Sequence, residues 1–98
     1  MRDRKSRKDY VHAAEVLKVL AHPVRLLIME ALRNGEMSVT GIYQCLKIGQ
    51  PAASQHLRIM RNKGILKDRR QGSCVFYSVA NPCVREIIAC VHHFCRKR

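Results

Sequence analysis

Between Gln50 and Asn62, hydrogen-bonding and cationic side chains recur at a spacing that suits recognition of a polyanion. At about 100° per residue, Ser54, Gln55, Arg58, Arg61 and Asn62 gather on one arc of a helix, and Ala53, Leu57 and Met60 fall at i, i+4 and i+7 on the other. Short hydroxyl and amide groups near the N-terminal half of such a helix match the donors and acceptors on base edges, while guanidiniums match phosphate oxygens. An ordinary solvated face would look the same in isolation. A second group with chemical potential lies near the C-terminus, where Cys83, Cys90 and Cys95 stand with His92 and His93 inside 13 residues. Thiolates and imidazoles at this density are a ligand reservoir for a thiophilic metal, or a set of oxidisable thiols.

Composition separates the readings of the polar arc. The chain has 98 residues, enough for one small domain, with 19 Lys plus Arg against 7 Asp plus Glu, a formal charge of +12 and a pI near 10.2. A polyanionic partner is expected. Because 47% of the residues are hydrophobic, the chain can bury a core and is no disordered basic tail. No apolar run approaches the roughly 20 residues of a membrane span, and no signal-peptide core opens the sequence, so a cytoplasmic protein without membrane contact is expected. Five cysteines without a CxxC pair argue against a secreted disulfide scaffold and a zinc ribbon, leaving reduced thiols as the default. A thiol enzyme is disfavoured by the same lack of CxxC, together with the lack of a Gly-rich phosphate loop and of paired acids for metal-dependent hydrolysis.

The elements that must position these groups can be placed in order. Residues 1–8, MRDRKSRK, form a basic flexible arm, and residues 9–98 form the folded domain. Tyr10, Ala13, Ala14, Leu17 and Leu20 set a first helix. After Ala21-His22-Pro23 a second helix follows, with Val24, Leu27, Ile28, Ala31 and Leu32 as its buried stripe and Asn34-Gly35 as its end. Ser38 caps a short third helix with Val39, Ile42, Tyr43 and Leu46 inward. A turn at residues 47–49 leads to the helix from Gly49 to Lys63, with Gln50 as cap and Pro51 at the first position. Third and fourth helices together make a helix-turn-helix, whose second member enters the major groove of DNA. The period then changes to 2, predicting a hairpin from Ile65 to Val79 with Gln71-Gly72-Ser73 at its turn, and Arg69 and Arg70 near the tip where they reach DNA. Asn81 and Pro82 start a last helix with Val84, Ile87, Ile88, Val91 and Cys95 in its stripe. The expected fold is mainly α with a β-hairpin wing, a winged helix-turn-helix of five helices. Cys45 and Cys74 are expected to fill the core or the hairpin face, and His56, on the flank nearer the buried side, is expected to be structural.

The segments HPVRLLIMEAL, QPAASQHLRIMRNKGIL and RRQGSCVFYSV, in this order and spacing, resemble the ArsR family of winged-helix transcriptional repressors, over essentially the whole chain after the arm. The resemblance implies a homodimer held by the first and last helices, bound to an imperfect operator palindrome and released by a small inducer. Carried over by position, it assigns DNA contacts to Gln50, Ser54, Gln55 and Arg58 on the helix and to Arg69 and Arg70 on the wing. The arsenic-sensing cysteine cluster is replaced by Ser38, Thr40 and Tyr43, and the zinc ligands of the last helix by Asn81, Cys83, Phe94 and Lys97. The C-terminal VHHFCRKR is most similar to the persulfide- and redox-sensing branch, with Cys95 as the matching thiol. Glu30 stands where that branch has the second cysteine.

Geometry narrows the sensing chemistry. On one helix, Cys90 and Cys95 are about 7.5 Å apart along the axis and about 140° apart around it, and Cys83 and Cys90 about 10.5 Å apart along it. A disulfide needs Cα atoms within about 7 Å, so no two of the three can bridge within an intact helix. A redox bond from Cys95, Cys90 or Cys83 would have to cross the dimer or reach Cys45 or Cys74, and the resemblance to the redox-sensing branch implies reactive sulfur or an oxidant as inducer. The alternative is a metal ion held by Cys83, Cys90, His92, His93 or Cys95 from both protomers. No resident cofactor is required. A non-specific nucleic-acid-binding protein is the remaining reading of the charge alone.

Overall fold

Five helices and three short strands follow one another in the computed structural model, which describes residues 6–96. Helix α1, Arg7–Leu20, begins at a capping box: the Ser6 hydroxyl accepts from the Asp9 N–H, and the Asp9 carboxylate accepts from the Ser6 N–H. The expected arm is thereby shortened, because Arg7 and Lys8 belong to the first turn of α1. Its first five residues, and Lys97 and Arg98, lie outside the described residues. Helix α2, Pro23–Ala31, has His22 as its cap, with imidazole Nδ1 accepting from the Val24 N–H at 3.1 Å. Helix α3, Val39–Leu46, is capped by Ser38 as expected.

The turn into helix α4, Gln50–Asn62, passes through Lys47 in the left-handed region (φ 58°). Gly49, not Gln50, holds the cap position of α4 and makes no side-chain hydrogen bond to it. The correction has a simple cause. Gln50 already has its place in the first turn, so its amide is left to solvent. Strands β2, Leu66–Gln71, and β3, Cys74–Val79, form the expected antiparallel hairpin around Gly72 (φ 61°), with Arg69 opposite Phe76 and Arg70 opposite Val75. A strand the sequence did not predict, β1, Met37–Ser38, pairs with the other edge of β3, giving the order β1-β3-β2. Helix α5, Pro82–Arg96, starts at Asn81, whose amide oxygen accepts from the Cys83 N–H at 2.9 Å.

Ile28, Met29, Leu32, Ile42, Leu57, Met60 and Ile65 are sealed from solvent and bring α2 with its C-cap, α3, α4 and the residue before β2 together. Each such side chain contributes about 1.5–3 kcal/mol by leaving water. The buried face of α4 is the one its spacing predicted, with Ala53, Leu57 and Met60 inward. The outer helices differ from expectation. Only Leu20 of the α1 stripe is buried, and Val16 and Val19 turn to the core while Tyr10 (63% exposed) and Leu17 (51%) face out. In α2, Met29 replaces Leu27 (54% exposed) in the interior. In α5, Val84 and Ile88 lean on the core, whereas Ile87, Val91, Phe94 and Cys95 are exposed. A single chain has too few elements to cover both sides of its terminal helices.

Candidate nucleic-acid interface

Two clefts meet on the outer face of α4, where that helix passes the hairpin. One, of about 230 Å³, is lined by Ser54, Arg58 and Arg61 of α4 and by Asp68, Arg70 and Val75 of the hairpin. The second, of about 360 Å³, lies toward the start of α4 and is lined by Ser38 and Thr40, by Gln50 and Ser54, and by Ser73 and Cys74 at the hairpin end. Val39, Ser54 and Val75 belong to both. Six-residue strands on a two-residue turn give the hairpin the reach to stand beside α4, and the wall it makes brings Arg70 to the cations of the helix. Of the sequence-predicted contacts, Gln50, Ser54, Arg58, Arg61 and Arg70 share this surface. Gln55, exposed on α4, lines neither cleft.

The cations differ in how they are held. Arg61 lies 3.5 Å from the Asp68 carboxylate, and Arg69 donates through Nε at 3.2 Å and through a second guanidinium N–H to the Glu36 carboxylate. Arg69 also covers the Phe76 ring, with its guanidinium carbon 4.7 Å from the centroid. The Arg69 hydrogen bond holds the Glu36 carboxyl below its ordinary range and raises the guanidinium in turn. Arg58 and Arg70 have no carboxylate partner among the described residues. This division was invisible in the sequence, since Glu36 and Arg69 are 33 positions apart.

Behind the surface, His56 accepts a hydrogen bond from Arg25 Nε at 3.1 Å and stacks edge-on with His22, ring centroids 4.6 Å apart. Burial, then His22 and Arg25, lower its pKa. His56 is half-buried and lines neither cleft, in keeping with the structural place expected of it. The Arg25 partner was missed.

The cysteines depart most from expectation. Cys45 and Cys74 are exposed, as are Cys83, Cys90 and Cys95. Ile42 and Leu46 take the core-facing positions on α3 and Cys45 is left on the exposed flank, while Cys74 sits beside the hairpin turn opposite Gln71, on the rim of the second cleft. Within one chain, no group of three or more His, Cys, Asp or Glu among the described residues could hold a metal ion, so Cys83, Cys90, His92, His93 and Cys95 are not gathered into a site. His92 and Cys95 instead border an apolar groove of about 290 Å³ between α5 and the α1–α2 corner. No helix of the described residues is long and apolar enough to cross a membrane.

Residues 22–68, from the cap of α2 into the hairpin, match the family described as bacterial regulatory protein, arsR family. The transcriptional repressor PagR of Bacillus anthracis is 49% identical over 76 residues, covering 76% of each chain. The chain belongs to the ArsR family. Its fold agrees with two solved structures: a homodimeric winged helix-turn-helix DNA-binding domain from Mycobacterium bovis, a possible ArsR-family regulator (TM-score 0.83, 28% identity, 99% of this chain and 92% of that one), and reduced HlyU from Vibrio cholerae (TM-score 0.80, 32% identity, 89% and 92%). The winged helix-turn-helix expected from the sequence is therefore the fold, with β1 added. Its relatives are transcriptional regulators, and this ArsR-family member is a regulator and not an enzyme.

Proposed function

We propose that this ArsR-family chain is a repressor that binds an operator palindrome as a homodimer, with α4 in the major groove and the hairpin against the flanking backbone. The observation that carries the reading is the cleft in which Ser54, Arg58, Arg61 and Arg70 converge on the outer face of α4, in a chain of net charge +12. In this reading Gln50, Ser54 and Gln55 address base edges, and Arg58, Arg61, Arg69 and Arg70 address phosphates. Dimerisation through α1 and α5 is supported by Tyr10, Leu17, Ile87, Val91 and Phe94, large hydrophobic side chains exposed on those two helices. A palindrome is the matching DNA symmetry for two identical reading helices.

The inducer we assign is reactive sulfur or an oxidant, acting on Cys95, Cys90 or Cys83. Support comes from the exposure of all three thiols on α5, and from the place of Cys95 on the groove beside the dimerisation face. In a gel shift against its own upstream DNA, the protein should prefer a palindrome over random duplex. Persulfide or peroxide should release it, and Cys95→Ser should resist release. Equal affinity for both duplexes would leave only a general nucleic-acid-binding protein. Release by zinc or arsenite instead of oxidants would transfer the inducer role to a metal ion shared by two protomers.

A further inference from the structure

The two motifs HPVR and SQHL lie more than 30 residues apart in the sequence, yet they meet side chain to side chain behind α4. Arg25 Nη1 donates to the Val19 carbonyl at 3.0 Å, and Arg25 Nε donates to His56 Nδ1 at 3.1 Å. The first bond satisfies a carbonyl in the last turn of α1, which has no partner within its own helix and carries the negative end of the helix dipole. The second bond reaches the middle of α4. His22, which caps α2 through its own Nδ1, stands edge-on to the His56 ring at 60° and closes the other side. One guanidinium therefore joins the end of α1, the start of α2 and α4.

We propose that Arg25 and His56 are positioning residues for operator recognition: their hydrogen bond sets the rotation of α4 about its axis, and it can form only while His56 is neutral. The proposal rests on α4 being the DNA-reading helix. His56 sits directly after Gln55 and two residues before Arg58, so an angle fixed at His56 is an angle fixed for its neighbours. A helix with side chains is about 10–12 Å across, so a turn of about 20° moves a side-chain tip by about 2 Å, enough to lose a base-edge hydrogen bond.

The protonation requirement follows from the donors. Arginine has no acceptor, so the bonded Nδ1 must carry a lone pair and the proton must sit on Nε2. Imidazolium would set an N–H against the Arg25 N–H and place two positive groups about 3 Å apart. The groups facing His56 are Arg25 from α2 and His22 from the α1–α2 turn; α1 presents the Val19 carbonyl, and Glu15, the carboxylate on the α1–α4 seam, is held by Lys63 at 3.4 Å about two turns further on. No facing carboxylate among these is available to stabilise the charged ring. Burial and the two neighbours hold the His56 pKa below 6.5. A histidine with a lowered folded-state pKa contributes fully above the unfolded value of about 6.5 and loses its contribution as pH falls through the folded value. Operator recognition should follow the same course.

The test measures affinity of the full dimer for operator and random duplexes from pH 8 to pH 5 at fixed ionic strength, with ¹⁵N NMR of the imidazoles. The operator-over-random ratio of the wild type should fall below pH 6.5. Arg25→Lys keeps the charge but not the two-bond fork, so at pH 7.5 it should lose about 10- to 100-fold on operator while random-duplex affinity changes less than about 3-fold. His56→Asn keeps an acceptor that does not titrate; it should bind operator within about 3-fold of wild type and lose most of the acid response. Equal losses on both duplexes in Arg25→Lys, or an unchanged pH profile in His56→Asn, would overturn the positioning role. NMR on the wild type tests the hydrogen bond itself: a proton on His56 Nδ1 at pH 7.5 would refute it whatever the variants do. A wild type with no operator preference would instead remove the reading of α4, and the positioning role with it.

Discussion

Arg58 and Arg69 carry the same charge but are differently occupied. Arg69 is engaged by Glu36 and Phe76, whereas Arg58 opens onto the cleft without a carboxylate partner among the described residues. Replacing Arg58 with Ala should weaken operator and random duplex by similar factors, and lower the slope of log affinity against log salt by about 1, as expected of a phosphate contact. Ser54→Ala should behave oppositely, eroding operator preference by about 1 kcal/mol with little change in salt slope. Glu36→Gln removes an anion beside the hairpin and releases Arg69, so DNA binding at low salt should tighten by about 2- to 10-fold and its salt dependence should steepen. Anisotropy titrations at several salt concentrations distinguish all three. The types and order of these residues were legible in the sequence because a helical arc depends only on local spacing. Their pairing was not, since Glu36 with Arg69 and Arg25 with His56 are meetings arranged by tertiary folding.

At the scale of elements, the helix boundaries were readable wherever a cap or a strong period was present: Ser38 before α3, Asn81 before α5 and the Ala53, Leu57, Met60 stripe of α4 all stand as spaced. Strand β1 was not legible, because two residues cannot display a period, and it exists only through its pairing with Phe76 and Tyr77. The exposure of Cys45 and Cys74 escaped because frequency favours buried thiols, while their places were decided by the core-facing Ile42 and Leu46 and by the hairpin turn. The turn between α3 and α4 bends through Lys47 at φ 58°, a conformation costing an L-residue about 1–2 kcal/mol relative to glycine. Lys47→Gly should therefore raise stability by about 0.5–1 kcal/mol after allowance for the greater freedom of glycine in the unfolded chain, read as a higher midpoint in urea unfolding with unchanged m.

For the whole molecule, the proposed dimer gives the outward apolar positions of α1 and α5 a use that a lone chain cannot. Ile87→Glu combined with Val91→Glu should yield a monomer by sedimentation and reduce operator affinity at least about 100-fold, because two reading helices then no longer bind as one unit. Retention of a dimer would place the interface elsewhere. Within each protomer, Ser38 serves two structures at once: it pairs with Phe76 in the sheet, and its hydroxyl accepts from the Gly41 N–H at 3.0 Å to begin α3. A Cβ on Gly41 would come within 3.2 Å of that oxygen, so the corner has little slack. One residue inserted after Ser38 would therefore swing α3 by about 100° and carry Ile42 out of the interior.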